Sequence, residues 1–232
     1  MPPLLGPAAV IMSQAAGGPP PGAPTLVQPP VSNFVDVASP SLSVVISGVT
    51  AGSTLVCAAP CRDTAPRTLV GFSDDVNGAW TTAQDARHSS DNSLLCMAAS
   101  FENSAAVPGD LTVTLTMSGN TAILSLVVFE LTEGSIVEVG NFSNAPAQAN
   151  PQFCAQVGGI NSAGNPAFGV GYIVASGNAF HGPKTDWIEI NIGQPRLECY
   201  YREEPTAFVA ERCTIDPTNE SRTNFGSLFF VR

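Results

Sequence analysis

Leu111-Thr112-Val113-Thr114-Leu115-Thr116-Met117 alternates apolar and hydroxyl side chains without a break. Successive side chains of a strand point to opposite faces. This stretch therefore reads as a strand with one apolar face and one threonine face. Its neighbours speak the same language. Ser41–Val49 reads SLSVVISGV, Ser53–Ala59 reads STLVCAA, Ser93–Phe101 reads SLLCMAASF and Ile123–Leu131 reads ILSLVVFEL. All are short, rich in apolar and β-branched residues, and bounded by Gly, Asn, Asp or Pro. Between them, Asp74-Asp75-Val76-Asn77-Gly78 carries turn chemistry, with Asn-Gly its strongest part. It predicts a hairpin leading into Ala79-Trp80-Thr81-Thr82. No window offers a capped apolar period of 3.6 residues. The fold class is all-β.

Composition agrees. Charged residues make up 12% of the 232, against about 25% in an average chain. Ser, Thr, Asn, Gln and Gly must cover the surface instead. That suits strands and turns, and it suits a surface buried in an assembly, where charges would need partners. The net charge is −10 and there is one lysine. No basic face exists to displace counterions from phosphates, so a nucleic-acid partner is excluded, and an anionic membrane surface is disfavoured. No apolar run approaches the roughly 20 residues of a membrane-spanning helix. The opening MPPLLGPAAVIMSQAAGG lacks the basic residues of a signal peptide and is interrupted by proline.

Residues 1–35 contain nine prolines and no charged side chain. Proline fixes φ and removes a donor, so neither a helix nor a central strand persists there. We expect an extended arm over 1–35. It carries Leu4, Leu5, Val10, Ile11, Leu26 and Val27, which gain by lying on a partner's surface.

The domain expected over 36–232 repeats itself loosely, in half-units of about 36–133 and 134–232. Ala167–Ser176, AFGVGYIVAS, echoes STLVCAA. Arg196–Tyr201, RLECYY, echoes SLLCMA, with Cys199 opposite Cys96. Phe225–Val231, FGSLFFV, echoes the ILSLVVFEL strand. His181-Gly182-Pro183 precedes Trp187 as the Asn-Gly turn precedes Trp80. A sheet cannot bury a face alone, so the expectation is two stacked units, each burying one face in an antiparallel β-sandwich.

Chemistry is sparse. The G-x-S-x-G pattern of lipases is absent. His88 and His181 fall in turn-like polar segments without an evident orienting partner. Glu203 and Glu204 are adjacent, so a strand points them to opposite faces. Asp74, Asp75 and Asn77 offer oxygens, but the bidentate Glu of a calcium loop is missing. Cys57 and Cys61 make a CxxxC half-site without a matching pair. Cys57, Cys96 and Cys199 read as small buried hydrophobes. We expect no catalytic residue, cofactor or metal. Trp80, Trp187, Tyr200 and Tyr201 are candidates for a sugar-stacking platform, although such aromatics more often fill a core.

Taken together, S-G-V-x-x-G-S-x-L-V, the D-x-x-G-x-W-T hairpin, SLLCMA, T-V-T-x-T and L-V-V-F-E-L resemble a jelly-roll-like or lectin-like β-sandwich module of tailed-phage virion proteins and bacterial surface proteins. The likeness covers about residues 41–232. It implies a virion-surface structural protein that decorates or cements a phage capsid. Its partners would be the major capsid protein and copies of itself, clasped by the arm. The alternative it leaves open is a carbohydrate-binding module or tail adhesin that takes a glycan.

Overall fold

The strands that alternate and the strands that do not have different places. The computed structural model describes residues 22–65, 67–88, 93–144, 152–156, 167–175, 187–204, 212–215 and 224–232. The first half contains β1 (Val31–Val35), β2 (Ser39–Val49), β3 (Thr54–Arg62), β4 (Leu69–Asp74), β5 (Gly78–Ala79), β6 (Thr81–Arg87), β7 (Leu94–Phe101), β8 (Val107–Thr121) and β9 (Leu124–Leu131). The second contains β10 (Ile136–Asn144), β11 (Gln152–Gln156), β12 (Ala167–Ala175), β13 (Ile188–Ile190), β14 (Leu197–Glu204), β15 (Arg212–Ile215) and β16 (Asn224–Val231). Every pairing is antiparallel. No helix occurs among the described residues.

The first half forms two sheets, ordered β1-β9-β3-β7-β6 and β2-β8-β4-β5. This is a jelly-roll strand order, extended by β6. The chain changes sheets at Trp80, between β5 and β6. In β2 and β8 one face is buried, by Leu42, Val44, Ile46, Leu111, Val113, Leu115 and Met117. These pack on one face of the five-stranded sheet, against Leu55, Cys57, Met97 and Val128.

The second half repeats the plan. Its five-stranded sheet runs β10-β16-β12-β14-β13, and a two-stranded sheet pairs β11 with β15. Strand for strand, this matches β1-β9-β3-β7-β6, with β11 and β15 standing where β2 and β8 stand. The register fixes the match. Trp80 precedes Thr81, which pairs with Ser100; Trp187 precedes Ile188, which pairs with Tyr201. The two tryptophans are thus repeat-equivalent. The same match sets Cys199 against Ala98 and Leu197 against Cys96, so the expected Cys96–Cys199 correspondence is corrected by two residues.

The layering also differs from two sheets stacked once. Each half brings a pair of sheets, and the two five-stranded sheets stack on each other. Val56, Ala58, Cys96, Ala98, Val127 and Phe129 of one meet Phe168, Val170, Tyr172, Cys199 and Phe229 of the other. The sheet of β3, β7 and β9 is therefore buried on both faces. Its strands are apolar without alternation because no side of them meets water. A polar lock crosses this seam. The Gln84 Oε1 on β6 accepts hydrogen bonds from the Tyr172 hydroxyl at 2.5 Å and the Ser227 hydroxyl at 2.6 Å. All three residues are buried, where an unmade hydrogen bond costs about 1–3 kcal/mol.

The expected arm boundary at residue 35 is corrected. Val31–Val35 is β1, paired with β9 from Val31↔Val128 to Val35↔Leu124. The prolines end at Pro30, so these five residues keep every donor the ladder needs. Upstream, the Val27 amide donates to the Glu130 carbonyl at 2.9 Å and the Thr132 amide to the Thr25 carbonyl at 3.0 Å. Leu26 packs on the inter-half core, and Val27 lies exposed. Leu4, Leu5, Val10 and Ile11 lie outside the described residues.

Candidate functional site

Three places gather polar groups: the turn before Trp80, the root of the arm and the outer face of the β2-β8-β4 sheet. The first is a closed network. Asp74 and Gly78 end the β4–β5 hairpin, and Gly78 takes a φ of 87° that favours glycine. Asp74 Oδ1 accepts the Val76 amide at 2.8 Å, and the Asn77 amide donates to it as well. Asp74 Oδ2 accepts Asn77 Nδ2 at 3.0 Å and the Trp80 indole Nε1 at 2.7 Å. Asn77 Oδ1 in turn accepts the Ala105 amide at 3.0 Å, and Asp75 Oδ1 accepts the Thr112 amide at 3.0 Å. These oxygens are committed to protein donors. The segment is a turn that holds Trp80 in the core.

Burial pushes the Asp74 carboxyl up, but hydrogen bonds from Asn77, Trp80 and Val76 outweigh it and hold the group below its ordinary value. A depressed carboxylate contributes stability above its unfolded pKa, about 3.9. That contribution is lost as pH falls through the lower folded value. Asp74→Asn should therefore be less stable than the native chain at pH 7, by about 2 kcal/mol for the charge-assisted bonds lost. The gap should close below about pH 4. Thermal melts from pH 2 to 7 check this; a gap constant across that range would contradict it.

The second place is Glu130, wholly buried near the end of β9. Its Oε1 accepts the Thr50 amide at 2.7 Å, and its Oε2 accepts the Gln28 side-chain amide. Gln28 also donates to the Ser47 carbonyl at 3.0 Å, and the Leu26 amide donates to Glu203 Oε1 at 3.1 Å. One buried carboxylate thus ties the incoming chain to the turn after β2. No local pattern around Glu130 points to it, since its partners come from residues 28 and 50.

The third place is a face. Ser41, Ser43, Val45 and Ser47 of β2 stand outward beside Thr116, Thr114, Thr112 and Asp110 of β8. Gly71 and Ser73 of β4 continue the rows through Thr116 and Thr114. Ser43 Oγ and Thr114 Oγ1 lie 2.8 Å apart. Val45 and Val70 are the exposed large apolar side chains here. The charged groups are Asp110 and Asp75 at one end and Arg67, which lies along Gly119 and Asn120, at the other. The arrangement is a hydroxyl-rich surface with few charged groups.

The stacking candidates are not brought together. Trp80 is buried among β2, β8 and the five-stranded sheet. Trp187 is buried on the opposite side of the second half, its ring edge close enough that a Cβ at Gly169 would sit 3.1 Å from it. Tyr200 is buried, and Tyr201 stacks on Phe168 with centroids 5.7 Å apart. Apolar area draws Trp80, Trp187 and Tyr200 inward, while Tyr201 is half-buried, so the four rings do not line one surface. His88 is buried edge-on to Phe225, not solvated in a loop. His181 lies outside the described residues. Cys57, Cys61, Cys96 and Cys199 are buried free thiols. Burial pushes Cys61 up to about 12 and also raises Cys57 and Cys96 well above the ordinary thiol value, so these three are held as thiols. No group of three metal-ligating side chains occurs among the described residues.

No protein-family model matches the chain, and no curated protein matches it.

Proposed function

We propose that this chain is a structural component of an assembled particle, a phage capsid decoration or cementing protein. In this reading it lies on the virion surface through the hydroxyl face of β2, β8 and β4 and clasps a neighbour with its N-terminal arm. The observation that carries the reading is that face. Charged groups cost far more to desolvate when surfaces meet than Ser and Thr hydroxyls, which need a hydrogen bond across the contact, and Val needs none. The jelly-roll order supports it, being common in capsid proteins. The arm supports it too, because Glu130 and β9 hold its root while residues 1–21 precede an anchored point. Many weakly bound copies then act together.

The test uses a chain lacking residues 2–21, a cut that spares β1 and the Glu130 contacts. Its melting should match the full chain. Mass spectrometry of purified particles should find the full chain in stoichiometric amount and the truncated chain depleted at least about tenfold, the effect of losing about 1.4 kcal/mol or more of binding. Absence of the full chain from particles would sink the proposal. Binding on a glycan array in its place would favour the adhesin, since lectin domains share the jelly-roll order.

A further inference from the structure

The sheet formed by β11 and β15 has two strands, where its counterpart in the first half has four. A two-stranded pair is marginal by itself, and these strands come from distant parts of the chain. Their ladder runs Gln152↔Ile215, Phe153↔Thr214, Cys154↔Cys213, and the register shifts only beyond Cys154. Two of the chain's six cysteines therefore stand directly opposite each other on antiparallel strands. Directly opposed residues in such a ladder have Cα atoms about 4.5–5.5 Å apart. The window for a disulfide is about 4.4–6.8 Å. Cys57, Cys61, Cys96 and Cys199 are accounted for as buried free thiols.

We infer that Cys154 and Cys213 form a cross-strand disulfide that staples the β11–β15 pair. The inference is independent of the proposed function. Formation needs an oxidant, and a low-molecular-weight disulfide such as oxidised glutathione suffices. One cysteine thiolate attacks its S–S bond and releases one glutathione thiol. The second cysteine thiolate then attacks the mixed disulfide and releases the other. Two protein thiols become one disulfide. The two electrons and two protons end on two glutathione thiols. The closed loop runs from residue 154 to residue 213, more than half of the second half, so the link removes much conformational freedom from the unfolded chain.

The experiment uses the full chain treated with oxidised glutathione, then denatured in an alkylating agent, digested and mapped by mass spectrometry. The expected map shows one linked peptide pair joining Cys154 to Cys213 and alkylation at the other four cysteines. Dithiothreitol should lower the melting temperature by roughly 10 °C. The Cys154→Ser, Cys213→Ser double variant should melt at the reduced temperature with or without dithiothreitol. Six alkylated cysteines, or a link through any core cysteine, would overturn the inference. A correct link with unchanged melting would overturn its stapling role. If the variant does not fold, the peptide map and reductant-dependent melting of the native chain still decide.

Discussion

Cys57→Asp and Ala58→Asp should each remove much of the chain's stability, although the two positions face opposite ways. In a sandwich of two layers, one of any two neighbouring strand positions meets water and tolerates charge. In β3 neither does. Cys57 points into the core shared with β2 and β8, and Ala58 into the core shared with the second half. An unpaired carboxylate in either place loses its hydration with nothing to replace it. The effective penalty is several kcal/mol per ion, against a total stability of about 5–15 kcal/mol for an ordinary domain. We expect a loss of about 5 kcal/mol or more at each site. The control lies on β2, where Val44 is buried and Val45 exposed. Val44→Asp should behave like the β3 variants, and Val45→Asp should stay within about 1 kcal/mol of the native chain. Urea denaturation followed by circular dichroism measures all four. An Ala58→Asp chain as stable as the native one would mean that the two halves do not stack on this sheet.

That layering was legible in part. Leu111–Met117 alternates and has one buried face, as a period of two requires. Val127-Val128-Phe129 does not alternate, and a strand apolar on both sides asks for cover on both sides. One-faced and two-faced strands in the same half require two stacked sandwiches, where one-faced strands alone require only two stacked sheets. The duplication was legible in kind but not in register. A slip of two residues leaves every side chain on its own face, so pattern alone cannot tell Cys199↔Cys96 from Cys199↔Ala98. Only the pairing beside each tryptophan does.

The root of the arm was hidden for a different reason. VSNFV after two prolines carries little strand pattern, and its ladder partner is β9, far along the chain. The same holds for Gln84, Tyr172 and Ser227, and for Glu130 with Gln28 and Thr50. Each is a contact between distant segments, and a buried polar group announces itself only when its partner is known. The aromatic candidates were the reverse case. Their chemical type points to a core more often than to a sugar, and three of the four are buried.

The tryptophans give the second large effect. Trp80→Ala should cost about 3–5 kcal/mol, the usual range for removing a buried aromatic. For a chain of this size that lowers the melting temperature by about 10 °C or more. Trp187→Ala should cost a similar amount, because its ring fills the space against Gly169 and Phe230 in the second half. Phenylalanine then separates the two. At Trp80 the indole N–H donates to Asp74 Oδ2, so Trp80→Phe shrinks the ring and also leaves a buried carboxylate oxygen short of a donor. At Trp187 the indole nitrogen has no hydrogen-bond partner among the described residues. Trp187→Phe loses packing but no hydrogen bond to a described residue. We expect Trp80→Phe to be the more damaging by about 1.5–3 kcal/mol, the worth of a hydrogen bond to a charged group. Adding Asp74→Asn to each should narrow that difference, since the carboxylate is what distinguishes the sites. Calorimetric melting of the four single and two double variants measures it. Equal losses for the two Phe variants would mean that the Asp74–Trp80 bond contributes nothing. A Trp80→Ala chain with native melting would return the indole to the surface and reopen the sugar-binding reading.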